Sequence, residues 1–438
     1  MKDSARIVQE LIKYIPRLIL ERLEKDTNPI KNSFSESYQC AFMFLDIVEF
    51  STLTEKVVSH YEKGLELIAN ILSRYFEQLI RVVINADGDI VKFAGDSLFV
   101  VWKVENGDPK KLAEAVYTAT LCGIEIQKRL FHFPVEEGIF LSVRVGISAG
   151  KINAMHVGGA FDRWEFVITG EALASAAKAQ KLAKPGEVVL SKRAWKLLEE
   201  YQYGFRVENK FKLNVPILEK RLKILSQNPF HEYNLSDKAL PIMRNYVPRA
   251  IITRIEDGFD SWHTDFLNVT ILFIRVGSNR MKVLSKIDKV QEIMKTIQYC
   301  IYDQEGSINR FGVDDKGVIL LTAFGLPPLI HPNDPERAIL ASLLIQEKLN
   351  AIGYESKMGI ATGKVFCGTV GNEIRSEYTM HGTSVNFAAR LMQVSDGIVC
   401  DETTYLLTRE LFRFEAKPPR KFKGKLELVP YYKVLGKA

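Results

Sequence analysis

The feature that most constrains this chain is that it repeats itself. Strand-like VTILFIRV (Val269 to Val276) answers the run AFMFLDIV that carries Asp46. A helix-spaced run with Ile287, Val290, Ile293 and Ile297 answers the stretch from Thr54 to Ile84, where Leu65, Ile68, Leu72, Tyr75, Leu79 and Val82 recur three and four apart. GSINRFGVDDKGVIL answers GDIVKFAGDSLFVV, setting Gly306 against Gly88 and Arg310 against Lys92. Asn333-Asp334-Pro335 answers Gly107-Asp108-Pro109, MGIATGKVFCGTVG answers VGISAGKINAMHVG, and EYTMHGTSVNFAARLMQ answers EFVITGEALASAAKAQ. Six segments that correspond in the same order are beyond chance, so the chain reads as two tandem copies of one domain.

Within a copy the order is strand, helix, two hairpin strands, helix, strand, which is an α+β pattern around a mainly antiparallel sheet. The hairpin of the first copy places Ala94-Gly95-Asp96 between two apolar runs, so a carboxylate stands at its tip. A second carboxylate, Asp46, ends the first apolar strand. Either alone reads as an ordinary turn or strand-end residue; side by side they would suit a hard divalent cation, which prefers oxygen ligands.

The differences between the copies carry more than the agreements. Asp46 is answered by Arg275, so the second copy should hold no carboxylate pair. Asn386 and Arg390, one turn apart on one helix face, are answered by Ala174 and Lys178. Each copy lacks what the other has. Complementary loss implies one working site assembled across the interface and a degenerate site related to it by pseudo-twofold symmetry.

Around this core, Ile7, Leu11, Ile15, Leu18 and Ile19 mark a helix that Pro16 should kink or divide. The expected division is a helical segment over 1–36, domains over 37–225 and 262–438, and a polar, proline-bearing linker over 226–261. Five cysteines without a CxxC pair argue against a disulfide framework or zinc knuckle and fit a reducing, cytoplasmic setting. A net charge of +6, spread along the chain, gives no case for nucleic acid, and no apolar run reaches the roughly 18 residues of a membrane helix. The run Gly359 to Lys364 is one residue short of a phosphate loop and lacks its Ser or Thr.

On FLDIVEF, DGDIVKFAGDSL and EYTMHGTSVNFAAR the chain resembles the paired catalytic domains of class III nucleotidyl cyclases, of the soluble adenylyl cyclase type, over nearly its whole length. The resemblance implies two ferredoxin-like domains forming a pseudo-twofold heterodimer within one monomer, and conversion of ATP to cyclic AMP and pyrophosphate. It implies two ions, Mg2+ or Mn2+, on Asp46 and Asp96 with help from the Ile47 carbonyl, and phosphates cradled by the backbone of Val48, Glu49, Phe50, Ser51 and Thr52. By the same resemblance Arg390 matches the arginine on the α-phosphate, Asn386 the asparagine on the ribose, and Arg144 a basic residue on the terminal phosphates. Arg310 and Thr379 match the pair that reads adenine, with Arg310 in place of the family's lysine. Guanylyl cyclases carry glutamate and cysteine there, so ATP is favoured over GTP. The degenerate site would comprise Lys92, Val167, Ala177 and Lys178. Lys92 matches a lysine that binds bicarbonate in soluble cyclases, but the arginine position reads Ala177, and Lys178 lies about 100° further round the helix. Bicarbonate activation is therefore expected to be weak or absent. A guanylyl cyclase and a catalytically silent nucleotide-binding module are the alternatives.

Overall fold

The computed structural model describes residues 2–48, 50, 53, 54, 57, 64–136, 139–207, 210–213, 233–258, 264–277, 286–314, 317–423 and 427–438. The chain opens with α1 (Lys2–Ile12) and α2 (Arg17–Lys25), divided at Pro16 as the sequence required. The first half continues through β1 (Phe34–Ile47), α3 (Gly64–Asn85), β2 (Asp89–Phe93), β3 (Ser97–Val104) and α4 (Pro109–Leu130). A short ribbon, β4 (Phe133–Glu136) with β5 (Ile139–Leu141), leads to β6 (Val143–Ala160), β7 (Arg163–Thr169), α5 (Glu171–Leu182), β8 (Val188–Leu190) and α6 (Lys192–Glu200). A second ribbon, β9 (Gly204–Val207) with β10 (Lys210–Leu213), closes it.

The second half repeats the order: α7 (Leu240–Tyr246), α8 (Arg249–Glu256), β11 (Thr264–Gly277), α9 (Ile287–Asp303), β12 (Ser307–Asp314), β13 (Gly317–Phe324), α10 (Asp334–Ala351) and β14 (Glu355–Gly371). Then come β15 (Ser376–His381), α11 (Thr383–Val394), β16 (Ile398–Asp401), α12 (Glu402–Thr408), β17 (Phe412–Lys421) and β18 (Leu428–Lys437). The sheets run β2-β3-β1-β6-β7, with β8 alongside β6, and β12-β13-β11-β14-β16-β18-β17, with β15 on β14. Among the described residues no helix is long and apolar enough to cross a membrane.

Alternation along β1 explains the layering. Ala41, Met43 and Leu45 face a core shared with α3 and α4, while Cys40 and Phe42 face a second core that joins both halves and the helix pairs. A third core, with Leu272, Ile274, Val290 and Phe311, fills the second half. The interface is reciprocal: α3 packs on β14 and α9 on β6.

The stretch expected as a linker is, over 233–258, the opening of the second repeat. Tyr246-Val247-Pro248-Arg249 repeats Tyr14-Ile15-Pro16-Arg17, and each proline separates two helices. Pro241 and Pro248 stand at helix starts, where a missing N–H costs nothing, not in a tether. Each pair is gripped by the opposite half. Tyr14 of the first bonds Thr369 on β14 (3.0 Å), and Tyr246 of the second bonds His156 on β6 (2.5 Å). Arg375 Nη1 donates to Lys13 O (3.1 Å), while the equivalent Arg163 Nη1 donates to Arg244 O (3.1 Å) and Val247 O.

Candidate active site

Asp46 is placed by strand register. Ser97 on β3 and Arg144 on β6 are its direct partners on either side. Both reach its carboxylate: Ser97 Oγ donates to Oδ1 at 2.8 Å and Arg144 Nη2 to Oδ2 at 2.5 Å. A third donor, Gln180 Nε2 on α5, also reaches Oδ2, at 3.0 Å. Asp96 sits in the β2–β3 turn, which is closed by Ala94 N–H donating to Ser97 O (2.8 Å) and by Gly95 in the left-handed region at φ 76°. Burial and the charge of Asp46 raise the Asp96 carboxyl to about 6, against the opposing pull of Arg310 and Arg144.

The second half meets this turn with Arg310. A Cβ added at Gly95 would lie 3.3 Å from the Arg310 guanidinium, so the hairpin tip and the arginine are in contact across the interface. A bulge precedes Arg310 on β12, between Ile308 and Arg310, and the same bulge precedes Lys92 on β2. Such bulges re-aim the following side chain. Burial lowers the Arg310 pKa while Asp96 and Glu377 oppose that loss of charge. Thr379 is buried on β15, 3.5 Å from His381 Nε2, and burial together with the charge of Arg310 drops His381 to about 3. Phe50 of the first half meets the His381 ring edge-on at 6.0 Å. One residue past His381, Gly382 caps α11, which carries Asn386 and Arg390, both half-buried.

One amide expected around the phosphates, that of Val48, has another partner, as does its neighbour at Ile47. Ile47 N–H donates to Asp96 O (3.1 Å) and Val48 N–H to Ser142 O (2.9 Å), both just beyond the strand ladders. That corrects the expectation for the Val48 amide. Glu49, Ser51 and Thr52 lie outside the described residues.

The four residues expected at the degenerate site line one cavity of about 710 Å³: Lys92, Val167, Ala177 and Lys178. Arg310 borders it too, so this residue lies between the Gly95 turn and the cavity. Lys92 Nζ donates across the interface to Phe311 O (2.8 Å), and burial lowers its pKa against the pull of Glu377 and Glu165. Helix α5 thus offers Ala177 and Lys178 to the cavity and, about 200° round from Lys178, Gln180 to Asp46.

Ser97, Gln180 and His381 were missed in the sequence. The signal for Gln180 was present: the second copy has Met392 at that position, apolar where Asp46 has become Arg275. Among the described residues no three His, Cys, Asp or Glu cluster as a self-sufficient metal cage. Two adjoining carboxylates nevertheless fit Mg2+-like cations, which bind through one or two carboxylates and take the rest of their ligands from phosphate and water.

The chain is 29% identical over 464 residues to adenylate cyclase type 10 of Oryctolagus cuniculus, covering 98% of this chain and 28% of that protein. Against the Homo sapiens protein of the same name it is 28% identical over 441 residues, covering 92% and 27%. The chain therefore spans less than a third of the length of these relatives. Its fold is that of a class III adenylyl cyclase-like ATP-binding protein from Pseudomonas aeruginosa, with a TM-score of 0.55 at 16% identity over 93% of this chain and 92% of that one. The model of the adenylate and guanylate cyclase catalytic domain matches residues 33–226 and again 263–434, and the chain belongs to that family, carrying its domain twice.

Proposed function

We propose that the chain is an adenylyl cyclase, turning ATP into 3′,5′-cyclic AMP and pyrophosphate at one site shared by its halves. The observation that carries this reading is the contact of Arg310 with the Gly95-Asp96 turn, since it brings a base-reading residue of one half against the carboxylates of the other. Asp46 and Asp96 would hold two divalent cations, Mg2+ or Mn2+, with the Ile47 carbonyl as a further oxygen. Bound there, such ions activate the ribose 3′-hydroxyl and neutralise the leaving pyrophosphate.

The chain's own residues do the rest. Asn386 orients the ribose, and the Arg390 guanidinium meets the charge that grows on the α-phosphate oxygens. A preorganised donor of that kind is worth about 3–4 kcal/mol. Arg144 moves from Asp46 to the terminal phosphates, exchanging one anion for another. Arg310 donates to adenine N1 with Thr379 beside it, and neither residue could accept the N1 and N2 hydrogens of guanine as a carboxylate would. Ala177 brings no charge to the cavity where the family has an arginine; Lys178 lines the same cavity, contrary to the helical-wheel expectation, but from another position, and the bicarbonate response is weak or absent.

The test is cyclic nucleotide production from ATP and from GTP, with Mg2+ or Mn2+, and with and without bicarbonate at fixed pH. Loss of turnover in Asp96→Ala and in Arg390→Ala, with folding kept, supports the proposal. A parent that binds ATP tightly and makes nothing is the silent module, and faster turnover of GTP makes it a guanylyl cyclase. A several-fold rise with bicarbonate overturns the reading of Ala177.

A further inference from the structure

Resting on the reading of Asp46 as a cation ligand, we infer that Gln180 is the positioning residue for that carboxylate, holding its orientation while Arg144 leaves. A carboxylate offers about four lone-pair sites, and among the described residues three donors use Asp46: Ser97 on Oδ1, Arg144 and Gln180 on Oδ2. They are not equivalent. The cationic Arg144 takes a lone pair of Oδ2 that a divalent cation would use and repels that cation, so it is the donor displaced, whereas the neutral hydroxyl and amide can stay. With Ser97 on one oxygen and Gln180 on the other, the carboxylate is fixed against rotation; with Ser97 alone it is not. Outer-shell donors of this kind orient metal-binding carboxylates.

Two observations tie Gln180 to this task. It is buried, at 4% exposure, and its backbone sits tight on the strand: a Cβ added at Gly146 would lie 2.3 Å from Gln180 N, so α5 is pressed onto β6 at this turn. The second half keeps the same seat, with Gly359 and Met392 N also 2.3 Å apart by the same measure. There the residue is methionine and the strand position is Arg275. The amide occurs where the carboxylate does, and the packing that both halves share does not require it.

The experiment is Mn2+ binding to the full chain without nucleotide, read from the paramagnetic resonance signal of free Mn2+. Gln180→Met, which installs the second half's residue, should bind about 10–100-fold more weakly. Gln180→Asn, an amide one methylene too short, should weaken it likewise. In the cyclic AMP assay the Mn2+ needed for half-maximal rate should rise by the same factor while kcat at saturating Mn2+ stays near the parent's, a split that loosened packing would not give. If Gln180→Met does not fold, Gln180→Asn decides. Parent-like Mn2+ affinity in a folded variant sinks this inference alone; a parent that takes up no Mn2+ sinks the reading of the site and this inference with it.

Discussion

At the same corner of the sheet the two halves carry opposite charge. In the first, Asp46 lies between Ser97 and Arg144 with Gln180 on the helix above; in the second, Arg275 lies between Ile319 and Lys357 with Met392 above. The packing is the same in both. A Cβ at Gly146 would come within 2.3 Å of Ala176 O, and one at Gly359 within 2.2 Å of Ala388 O. Residues that seat a helix on a strand are needed in each half, because each sheet must be covered. On the proposed reading, residues that do chemistry are needed once per shared site, and the other copy is released from them.

The sharpest way to break this comparison is to remove a group held by one half only. Asp96→Ala should drop cyclic AMP production to the background of the assay, and Arg390→Ala should lower kcat about 10²–10³-fold, by analogy with loss of one preorganised donor. Thermal melting must show both variants folded for the losses to count as chemistry. The converse change is as informative. Arg275→Asp puts a carboxylate in the second half but leaves Ile319 and Met392, which donate nothing to it, so the number of Mn2+ bound per chain should not rise. An added Mn2+ would show that strand position alone makes the site.

How much of this was open to sequence reading follows from the same distinction. The repeat, the strand-end position of Asp46, the hairpin tip at Asp96 and the division at Pro16 were legible because each depends on local pattern: alternation, turn residues, a proline. So was the exchange of Asn386 and Arg390 for Ala174 and Lys178. Gln180 lies two residues beyond Lys178 on the same helix, and its replacement by Met392 in the second copy is a polar-to-apolar change of the same kind as Asn386 against Ala174. The Tyr-x-Pro-Arg repeat at Tyr14 and Tyr246 was readable too, but its polar, proline-bearing surroundings resembled a tether. What could not be read is register. That Ser97 and Arg144 flank Asp46, that a bulge precedes Arg310, and that each helix pair is gripped by the opposite half depend on pairings between residues far apart in the chain.

A middle-sized effect tests the part of the comparison that should be symmetric. Gly146→Ala and Gly359→Ala each force a methyl group against helix backbone that cannot rotate away, at 2.3 and 2.2 Å. Overpacking of this kind costs about 1–3 kcal/mol. Urea unfolding should show losses of similar size for the two variants, although one half supplies the carboxylates and the other does not. A marked inequality would mean that the helices are seated differently, and the equivalence of Gln180 with Met392 would go with it.

The smallest effect lies where the exchanged helix pairs are held. His156 and Thr369 are equivalent positions, opposite Phe166 and Tyr378 in register, and bond Tyr246 and Tyr14 respectively. Only one of the two titrates. His156 is buried and stacked on Phe34 at 4.2 Å, and burial with the charge of Arg22 takes its pKa down to about 3. The unfolded chain therefore binds a proton below the ordinary histidine value of about 6.5 that the folded chain refuses, so this contribution is present above that value and is lost as pH falls toward 3. In His156→Thr, which copies the other half, that loss is gone. The parent should be the more stable protein at neutral pH, since the variant gives up a stacked ring. Its advantage should shrink below pH 6.5 by at most about 1.4 kcal/mol per pH unit. Urea midpoints of parent and variant measured between pH 7 and 4.5 check this. Curves that stay parallel would show that the His156 ring takes up its proton inside the fold, and that the grip on the second helix pair does not depend on a neutral imidazole.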